Sequence, residues 1–217
     1  MYPPLIQLLV LAGVAIFLIL RLRNVLGTRE GFEKPSLPKE ESRQAPALEV
    51  IEGGPDPDIV DHVVEGSDPA LAFAEMKRTD VDFRVSDFLQ GARGAYEMIL
   101  MAFEKGEIDD IKLYISPDIY EIFSQVVEDR RQKGLTVEAN FIGISELSVM
   151  DASFDTKSNE AEISLRITGE YTYTVFDKAG DIVEGGENSS KRQRDVWTFA
   201  RTMGGNDPNW ILVATDA

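Results

Sequence analysis

Few residues of this 217-residue chain combine the type and the spacing that catalysis requires. Paired carboxylates can act as general acid and base, and the candidates are the adjacent Asp109 and Asp110, with Asp207 before Pro208. Catalytic carboxylates are usually set by burial and by charged partners, whereas these three lie at predicted helix starts or turns, where aspartate is an ordinary cap. No enzymatic activity is therefore predicted.

Cofactor and metal ligands are also scarce. The chain contains no cysteine, which excludes a disulfide, an iron–sulfur cluster, a thiolate-rich zinc site and a cysteine nucleophile. Its single histidine, His62, lies among acidic residues and is interpreted as solvated, because a metal site needs further convergent ligands. The stretch DKAGDIVEGG at 177–186 lacks the GxxxxGK[ST] spacing of a phosphate loop and predicts a hairpin turn. We expect no cofactor and no metal.

Aromatic residues are the remaining candidates for a functional site. Trp197, Phe199 and Trp210 have strand spacing, and they either belong to the core or line a concave pocket for a ligand or a peptide. Taken with residues of a predicted helix and of two other strands, the candidate pocket or partner-binding residues are Phe88, Ala92, Tyr96, Phe103, Phe141, Tyr171, Tyr173, Trp197, Phe199 and Trp210.

An apolar run extends from Leu5 to Leu20, with Gln7 as its single polar residue. Counted from Tyr2, a helix ending at Leu20 would be about 28 Å long, close to the hydrocarbon core of a bilayer at about 30 Å. A removed signal peptide and a buried core helix are the alternatives, but no positive segment precedes the run and no polar face interrupts it. Residues 1–27 are therefore predicted to be a membrane anchor that spans the bilayer at about residues 5–22.

Charge predicts the orientation and the class of partner. Arg21, Arg23 and Arg29 follow the run and no charged side chain precedes it, which places the following domain in the cytoplasm. Residues 67–217 contain 16 basic and 28 acidic residues, a net charge of -12. Such a surface repels phosphate backbones and anionic headgroups, so nucleic acid is not an expected partner and proteins are.

Residues 28–66 are rich in Pro, Glu and Gly and predict a flexible acidic linker. Ile59, Val60, Val63 and Val64 have helical spacing within it, which indicates either a transient amphipathic turn or a short docking helix.

Helices are predicted for the first part of the domain, residues 67–217. Gly91 and Gly94 interrupt one of them, which favours close approach of another backbone there. The first predicted helix begins at Ser67 or Asp68, and the second runs from Val85 to Lys105 with Ser86 or Asp87 as its cap. The third runs from Ile108 to Tyr114. The fourth runs from the Ser116 cap to Gly134, and Arg130, Arg131 and Lys133 stabilise its last turn.

Strands follow the helices. Leu135 to Met150 predicts a strand bulged near 142–144, and Glu160 to Phe176 alternates cleanly, with Gly169 at a bend or bulge. RQRDVWTFARTM and NWILVAT predict two more strands. Helices followed by an antiparallel meander indicate an α+β domain.

Several stretches resemble the Tim44-like domain family: FLQGARGAYEMILMAFEKG, ISPDIYEIFSQVVEDRRQKG, RDVWTFAR and DPNWILVAT. The resemblance covers nearly all of residues 85–217, and the layout of span, acidic linker and domain is similar to the bacterial membrane-anchored adaptor branch, related to the adaptor of the mitochondrial inner-membrane import motor. It implies N-terminal helices packed on a curved antiparallel sheet, like a nuclear transport factor two-like cone with a deep apolar pocket.

The resemblance also implies a function. It implies a non-enzymatic adaptor at the bacterial inner membrane that recruits a chaperone, a translocase or a ribosome in protein transport or quality control. The alternative is a module that binds a lipid or a small apolar ligand in the pocket. The mitochondrial adaptor attaches peripherally, whereas a span is predicted here, so lipid binding is not carried over.

Overall fold

The computed structural model of the chain describes residues 54–216, apart from the side chains of residues 187 and 188. The predicted anchor at 1–27, and the predicted linker as far as residue 53, lie outside the described residues. Between residues 54 and 216, no helix is both long and apolar enough to cross a bilayer.

Helices form the first half of the described chain, and local capping chemistry explains their bounds. Ser67 and Ser116 each cap a helix that has proline in its first turn, and Gly134, with φ of 68°, ends the helix that follows Ser116. These caps were predicted and are confirmed. The elements are Pro57–Val60 (α1), Asp68–Thr79 (α2), Val85–Lys105 (α3), the 3₁₀ helix Ile108–Ile111 (η1) and Pro117–Lys133 (α4). The helix predicted from Ile108 to Tyr114 begins at the predicted residue, but it is a 3₁₀ helix and ends at Ile111.

Four strands make one antiparallel meander in the order β1-β2-β3-β4. They are Thr136–Asp155 (β1), Glu160–Phe176 (β2), Ile182–Thr202 (β3) and Ile211–Asp216 (β4). The predicted alternation of β2 is confirmed, since Ile163, Leu165, Ile167 and Tyr171 are all fully buried. Helices α2 and α3 contact β1, and α4 contacts β4. The protein therefore has helices packed against an antiparallel sheet, the predicted α+β class.

Bulges interrupt the regular pairing of β1, and Gly169 of β2 lies opposite one of them. The register of β1 against β2 shifts between Phe141 and Gly143 and again between Ile144 and Glu146, which confirms the bulge predicted near 142–144. Gly169 pairs with Ile144 at the second shift, as predicted for a bulge, and packing also requires glycine there, because a Cβ would lie 2.6 Å from the Tyr96 ring. A helix side chain thus presses directly on the sheet backbone.

The third strand is longer than the sequence indicates. The sequence predicts a hairpin turn within DKAGDIVEGG, and the turn is confined to Asp177–Asp181, where the Gly180 nitrogen donates to the Asp177 carbonyl. Gly180 has φ of 86°, a value that favours glycine. The hairpin prediction is confirmed. Strand β3 begins at Ile182, because the backbone from this residue onward pairs with β2. It does so although the first half of the strand is largely polar and exposed.

The short helix α1 is packed on the domain. Ile59 is 6% exposed and belongs to the core, while the Asp58 carboxylate accepts hydrogen bonds from the Val85 and Ser86 backbone nitrogens and from Lys77. The flexible interpretation is therefore wrong for residues 57–60, and the docking-helix alternative describes them. The prediction that Ser86 or Asp87 caps α3 is also wrong, because Asp58 supplies that cap from outside the helix.

Candidate functional site

An open apolar groove, here called the α3 groove, is formed by the N-terminal half of α3 together with the segment that precedes β4. Its volume is about 440 Å³. Phe88 of α3 and Trp210 before β4 are its aromatic walls, with ring centroids 4.6 Å apart, and Phe199 of β3 meets Phe88 edge to face at 6.1 Å. The groove is also lined by Phe83, Gly91, Ala92, Gly94, Ala95, Met98, Tyr114, Pro208 and Asn209. Its charged lining residues are Asp82, Asp87, Arg84 and Arg201, and Arg201 is paired with Asp80.

Gly91 and Gly94 face open space in this groove. A Cβ added at either glycine would meet nothing within 4 Å. The expectation that another backbone of the domain packs across them is therefore wrong, because the helix turns this face outward. The two glycines instead leave an accessible, side-chain-free surface on α3.

Polar and apolar groups at the groove are accessible to solvent. Met98 and Tyr114 are each 37% exposed. Asp82 and Asp87 are exposed, and within residues 54–216 their carboxylates have no side-chain partner. The groove thus combines aromatic walls, an adaptable methionine and free negative charge, a composition that suits an amphipathic basic segment.

A second cavity, here called the Asp195 cavity, lies between the C-terminal half of α3, helix α4 and strands β3 and β4. Its volume is about 370 Å³. It is lined by Ile99, Leu100, Phe103, Phe123, Gln193, Asp195, Trp197, Thr215 and Asp216. Asp216 is the last residue of β4 that the structure describes, and it pairs with Val196 of β3.

A buried polar network connects this cavity to the core. The Tyr96 hydroxyl donates to Asp195 Oδ2 at 2.7 Å, and Gln193 Nε2 donates to Asp195 Oδ1 at 2.9 Å. Tyr171 Oη lies 2.9 Å from Gln193 Oε1 and 3.1 Å from Glu104 Oε1, and its single hydrogen is donated to one of them at a time. Between residues 54 and 216, every buried side-chain oxygen and nitrogen has a hydrogen-bond partner.

The surroundings of this network raise the pKa of both tyrosines. Burial, followed by the hydrogen bond to Asp195, raises the pKa of Tyr96 above its ordinary value. Burial, followed by the nearby Glu104 carboxylate, likewise raises the pKa of Tyr171. Both phenols therefore stay protonated at neutral pH and act as hydrogen-bond donors.

The ten predicted site residues do not form one pocket. Phe88, Ala92, Phe199 and Trp210 come together at the α3 groove, while Phe103 and Trp197 line the Asp195 cavity. Tyr173 lines a separate small cavity beside Arg130 and Lys191. Tyr96, Phe141 and Tyr171 line neither the groove nor the Asp195 cavity: Tyr96 and Tyr171 are fully buried, and Phe141 packs on Tyr96 with ring centroids 6.3 Å apart.

Sequence reasoning missed Gln193 and Asp195. In the stretch QRDVW, both residues have the same strand parity as Trp197, and Asp195 is 3% exposed. Charged residues are almost never fully buried without partners, so a polar pair on the apolar face of a strand was the available signal.

The carboxylates considered first have local structural roles. Asp109 accepts from the Tyr120 hydroxyl at 2.6 Å, and Asp207 accepts from the Asn209 backbone nitrogen at 2.9 Å. His62 is half-buried in the turn after α1. In the described part of the chain, no group of three or more His, Cys, Asp or Glu side chains could hold a metal ion.

The sequence profile of the family described as Tim44-like domain matches residues 69–217. This chain belongs to the Tim44-like domain family. The match begins in the first turn of α2 and includes both the α3 groove and the Asp195 cavity.

One relative of this Tim44-like chain is the mitochondrial import inner membrane translocase subunit TIM44-1 of Arabidopsis thaliana, which is 22% identical over 175 residues. The match covers 78% of this chain and 36% of that protein, so this chain spans little more than a third of the relative's length. The crystal structure of the intermembrane space region of chloroplast protein ARC6 aligns with 59% of this chain and 94% of its own, at 14% identity and a TM-score of 0.40.

Proposed function

We propose that this protein is a membrane-anchored adaptor without enzymatic activity, which holds a protein partner at the cytoplasmic face of a bacterial inner membrane. The observation that carries the proposal is the α3 groove. It presents Phe88, Trp210 and Met98 beside a glycine surface, and it belongs to a domain with net charge -12. Such a surface fits an amphipathic basic helix, because charge accelerates encounter and the apolar walls slow dissociation.

The class of process follows from the family. The Arabidopsis relative carries the name of a subunit of an inner-membrane protein import translocase. By analogy, the partner proposed here is a chaperone, a translocase or a ribosome engaged in protein transport or quality control at the membrane. Fold analogy alone does not choose among these three, so the partner must be identified by experiment.

The anchor and its orientation are part of the proposal. The apolar run Leu5 to Leu20 supports a single span, and the arginines that follow it support a cytoplasmic domain. A reporter enzyme that works only in the cytoplasm, fused after Ala217, is expected to be active in cells. Activity of a periplasm-specific reporter at the same position would contradict this orientation.

Site-specific crosslinking tests the adaptor function. A photoreactive amino acid replaces Met98 in the α3 groove of the full chain in its native membranes, and a matched control carries it at Ile142, which is 58% exposed on β1. We expect one protein, identified by mass spectrometry, to crosslink at position 98 and not at 142. Gly91→Leu, which fills the groove, should abolish that crosslink.

The second candidate function is binding of a lipid or a small apolar ligand, and the aromatic walls of the groove favour it. The same experiment separates the two functions. A lipid adduct at position 98, without a protein crosslink, would support the second function. Equal labelling at positions 98 and 142 would contradict both, because neither would then use the groove.

A further inference from the structure

The carboxylate of Asp195 is buried in the core, and no cation of residues 54–216 pairs with it. Its side chain is 3% exposed, and both oxygens accept hydrogen bonds from neutral donors, the Tyr96 hydroxyl and the Gln193 amide. Over residues 54–216, no Lys or Arg nitrogen forms an ion pair with it. Burying a carboxylate is costly unless it is paired with a cation, and neutral hydrogen bonds offset only part of that cost.

The cavity beside Asp195 has the shape and lining that a cationic side chain requires. Phe103, Phe123 and Trp197 contribute aromatic rings, which attract a cation placed over their faces. Ile99 and Leu100 contribute aliphatic surface for a hydrocarbon stem. Each Asp195 oxygen accepts one hydrogen bond within the protein and has capacity for another.

The arginine that packs on one wall of this cavity is committed elsewhere. Arg130 pairs with Glu104 at 3.3 Å, and its guanidinium lies 4.7 Å from the centroid of the Phe103 ring. It therefore packs on one wall of the cavity and neutralises a different carboxylate. The charge of Asp195 is left for a group from outside the domain.

We propose that the Asp195 cavity accepts the cationic end of an arginine or lysine side chain presented by the protein partner. The guanidinium or ammonium group donates to Asp195, and its stem lies along Ile99, Leu100 and the aromatic rings. This inference rests on the proposed adaptor function and adds a second, charge-selective contact to the α3 groove. The cavity selects for positive charge, whereas the groove selects for apolar surface.

The test uses the full chain in detergent micelles and reads the indole N–H signal of Trp197 by NMR. Trp210→Phe leaves Trp197 as the single tryptophan, so the signal is assigned without ambiguity. The probes are the peptide acetyl-Gly-Arg-Gly-amide and its citrulline analogue, which has nearly the same shape and no charge. We expect saturable shifts in the millimolar range with the arginine peptide, and affinity about ten-fold weaker with citrulline.

Charge-matched variants locate the contact. Asp195→Asn removes the charge and keeps the shape, and we expect it to bind the arginine peptide about ten-fold more weakly while melting at the same or a higher temperature. Asp61→Asn removes one exposed charge that lines neither the cavity nor the α3 groove, and it should leave the affinity unchanged. A purely structural Asp195 would instead give lower stability and unchanged affinity, which would overturn the proposal.

Other outcomes also decide the matter. If Asp195→Asn fails to fold, as judged by near-ultraviolet circular dichroism, the comparison of arginine with citrulline on the native chain remains decisive. Equal shifts with both peptides, or shifts that do not saturate, would contradict a site for a cationic side chain. Tighter binding of the free amine agmatine than of the arginine peptide would also contradict it. Retention of the position 98 crosslink by Asp195→Asn would then show that the adaptor function stands and that only the cavity assignment fails.

Discussion

The carboxylate of Asp58 lies 2.8 Å from the backbone nitrogen of Val85, 27 residues further along the chain. The same carboxylate accepts from the Ser86 nitrogen at 3.0 Å and pairs with Lys77 at 2.7 Å. The first N–H groups of a helix have no partner inside it, and a carboxylate there also interacts favourably with the helix dipole. Asp58 thus connects the segment before the domain to its longest helix.

Removing this cap should destabilise the domain. Asp58→Ala is expected to lower the free energy of unfolding by about 1 to 2 kcal/mol, since it leaves donors of α3 unsatisfied. Asp61→Ala is the matched control. Asp61 is exposed in the same segment, and its substitution by alanine removes the same charge. Chemical denaturation measures both variants, and equal stability of the two would contradict the capping role.

Asp58 should also contribute to acid sensitivity. Burial alone raises the pKa of Asp58, but hydrogen bonds from Lys77, Ser86 and Val85 outweigh it and hold the pKa far below its usual value. A lowered pKa in the folded state gives stability above the unfolded-state pKa of about 4, and that stability is lost as the pH falls toward the folded-state pKa. The stability difference between the native chain and Asp58→Ala should therefore shrink steadily below about pH 4. A difference that stays constant down to about pH 2 would show that the ionised carboxylate is not responsible.

Two glycines should respond oppositely to alanine. Gly91→Ala is expected to stabilise the domain by about 1 kcal/mol, because the site is open and alanine favours helix. Gly169→Ala should destabilise it by about 1 to 3 kcal/mol, because the new Cβ collides with the Tyr96 ring. Melting temperatures measure both changes, and a loss of stability in Gly91→Ala would show that α3 does not turn this face to solvent.

The buried hydroxyl of Tyr96 should matter more than an exposed one. Tyr96→Phe leaves Asp195 Oδ2 without its donor, and the expected cost is about 1 to 3 kcal/mol. Tyr120→Phe also removes a hydroxyl bonded to an aspartate, but at an exposed site, so we expect a change within about 0.5 kcal/mol. Denaturant titrations compare the two variants. Similar costs would imply that the network around Asp195 is hydrated.

The acidic domain should not bind anionic membranes when the proposed anchor is removed. A fragment of residues 54–217 is expected to stay in the supernatant when anionic vesicles are sedimented at physiological ionic strength, where charges are screened beyond about 8 Å. Net repulsion is the reason, since residues 67–217 carry 28 acidic against 16 basic residues. The full chain should sediment with the vesicles. Strong binding by the fragment would favour the lipid-binding alternative.

Local chemistry explains which elements could be predicted from the sequence. The Ser67 and Ser116 caps, the stop at Gly134 and the alternation of β2 each depend on residues within one or two turns of each other, and all four are confirmed. The family assignment also follows from short stretches of sequence. Predictions failed where the partner is distant in sequence.

Distant partners explain the errors. Asp58 caps α3 from another segment, and β3 extends to Ile182 only because β2 pairs with it. Gly91 was expected to pack, since sequence alone does not show whether a helical glycine faces a neighbour or solvent. The Asp195 cavity is lined by two helices and two strands that are distant in sequence, which no local pattern reveals.

The three register shifts along β1 bear on how the protein behaves at high local concentration. Among residues 54–216 this strand is an edge of the sheet, and its ladder is interrupted after Phe141, Ile144 and Val149. A long regular edge offers evenly spaced N–H and C=O groups to a strand of another molecule, whereas bulges twist and break that row. Copies of the chain at high local concentration are thereby discouraged from joining edge to edge into aggregates.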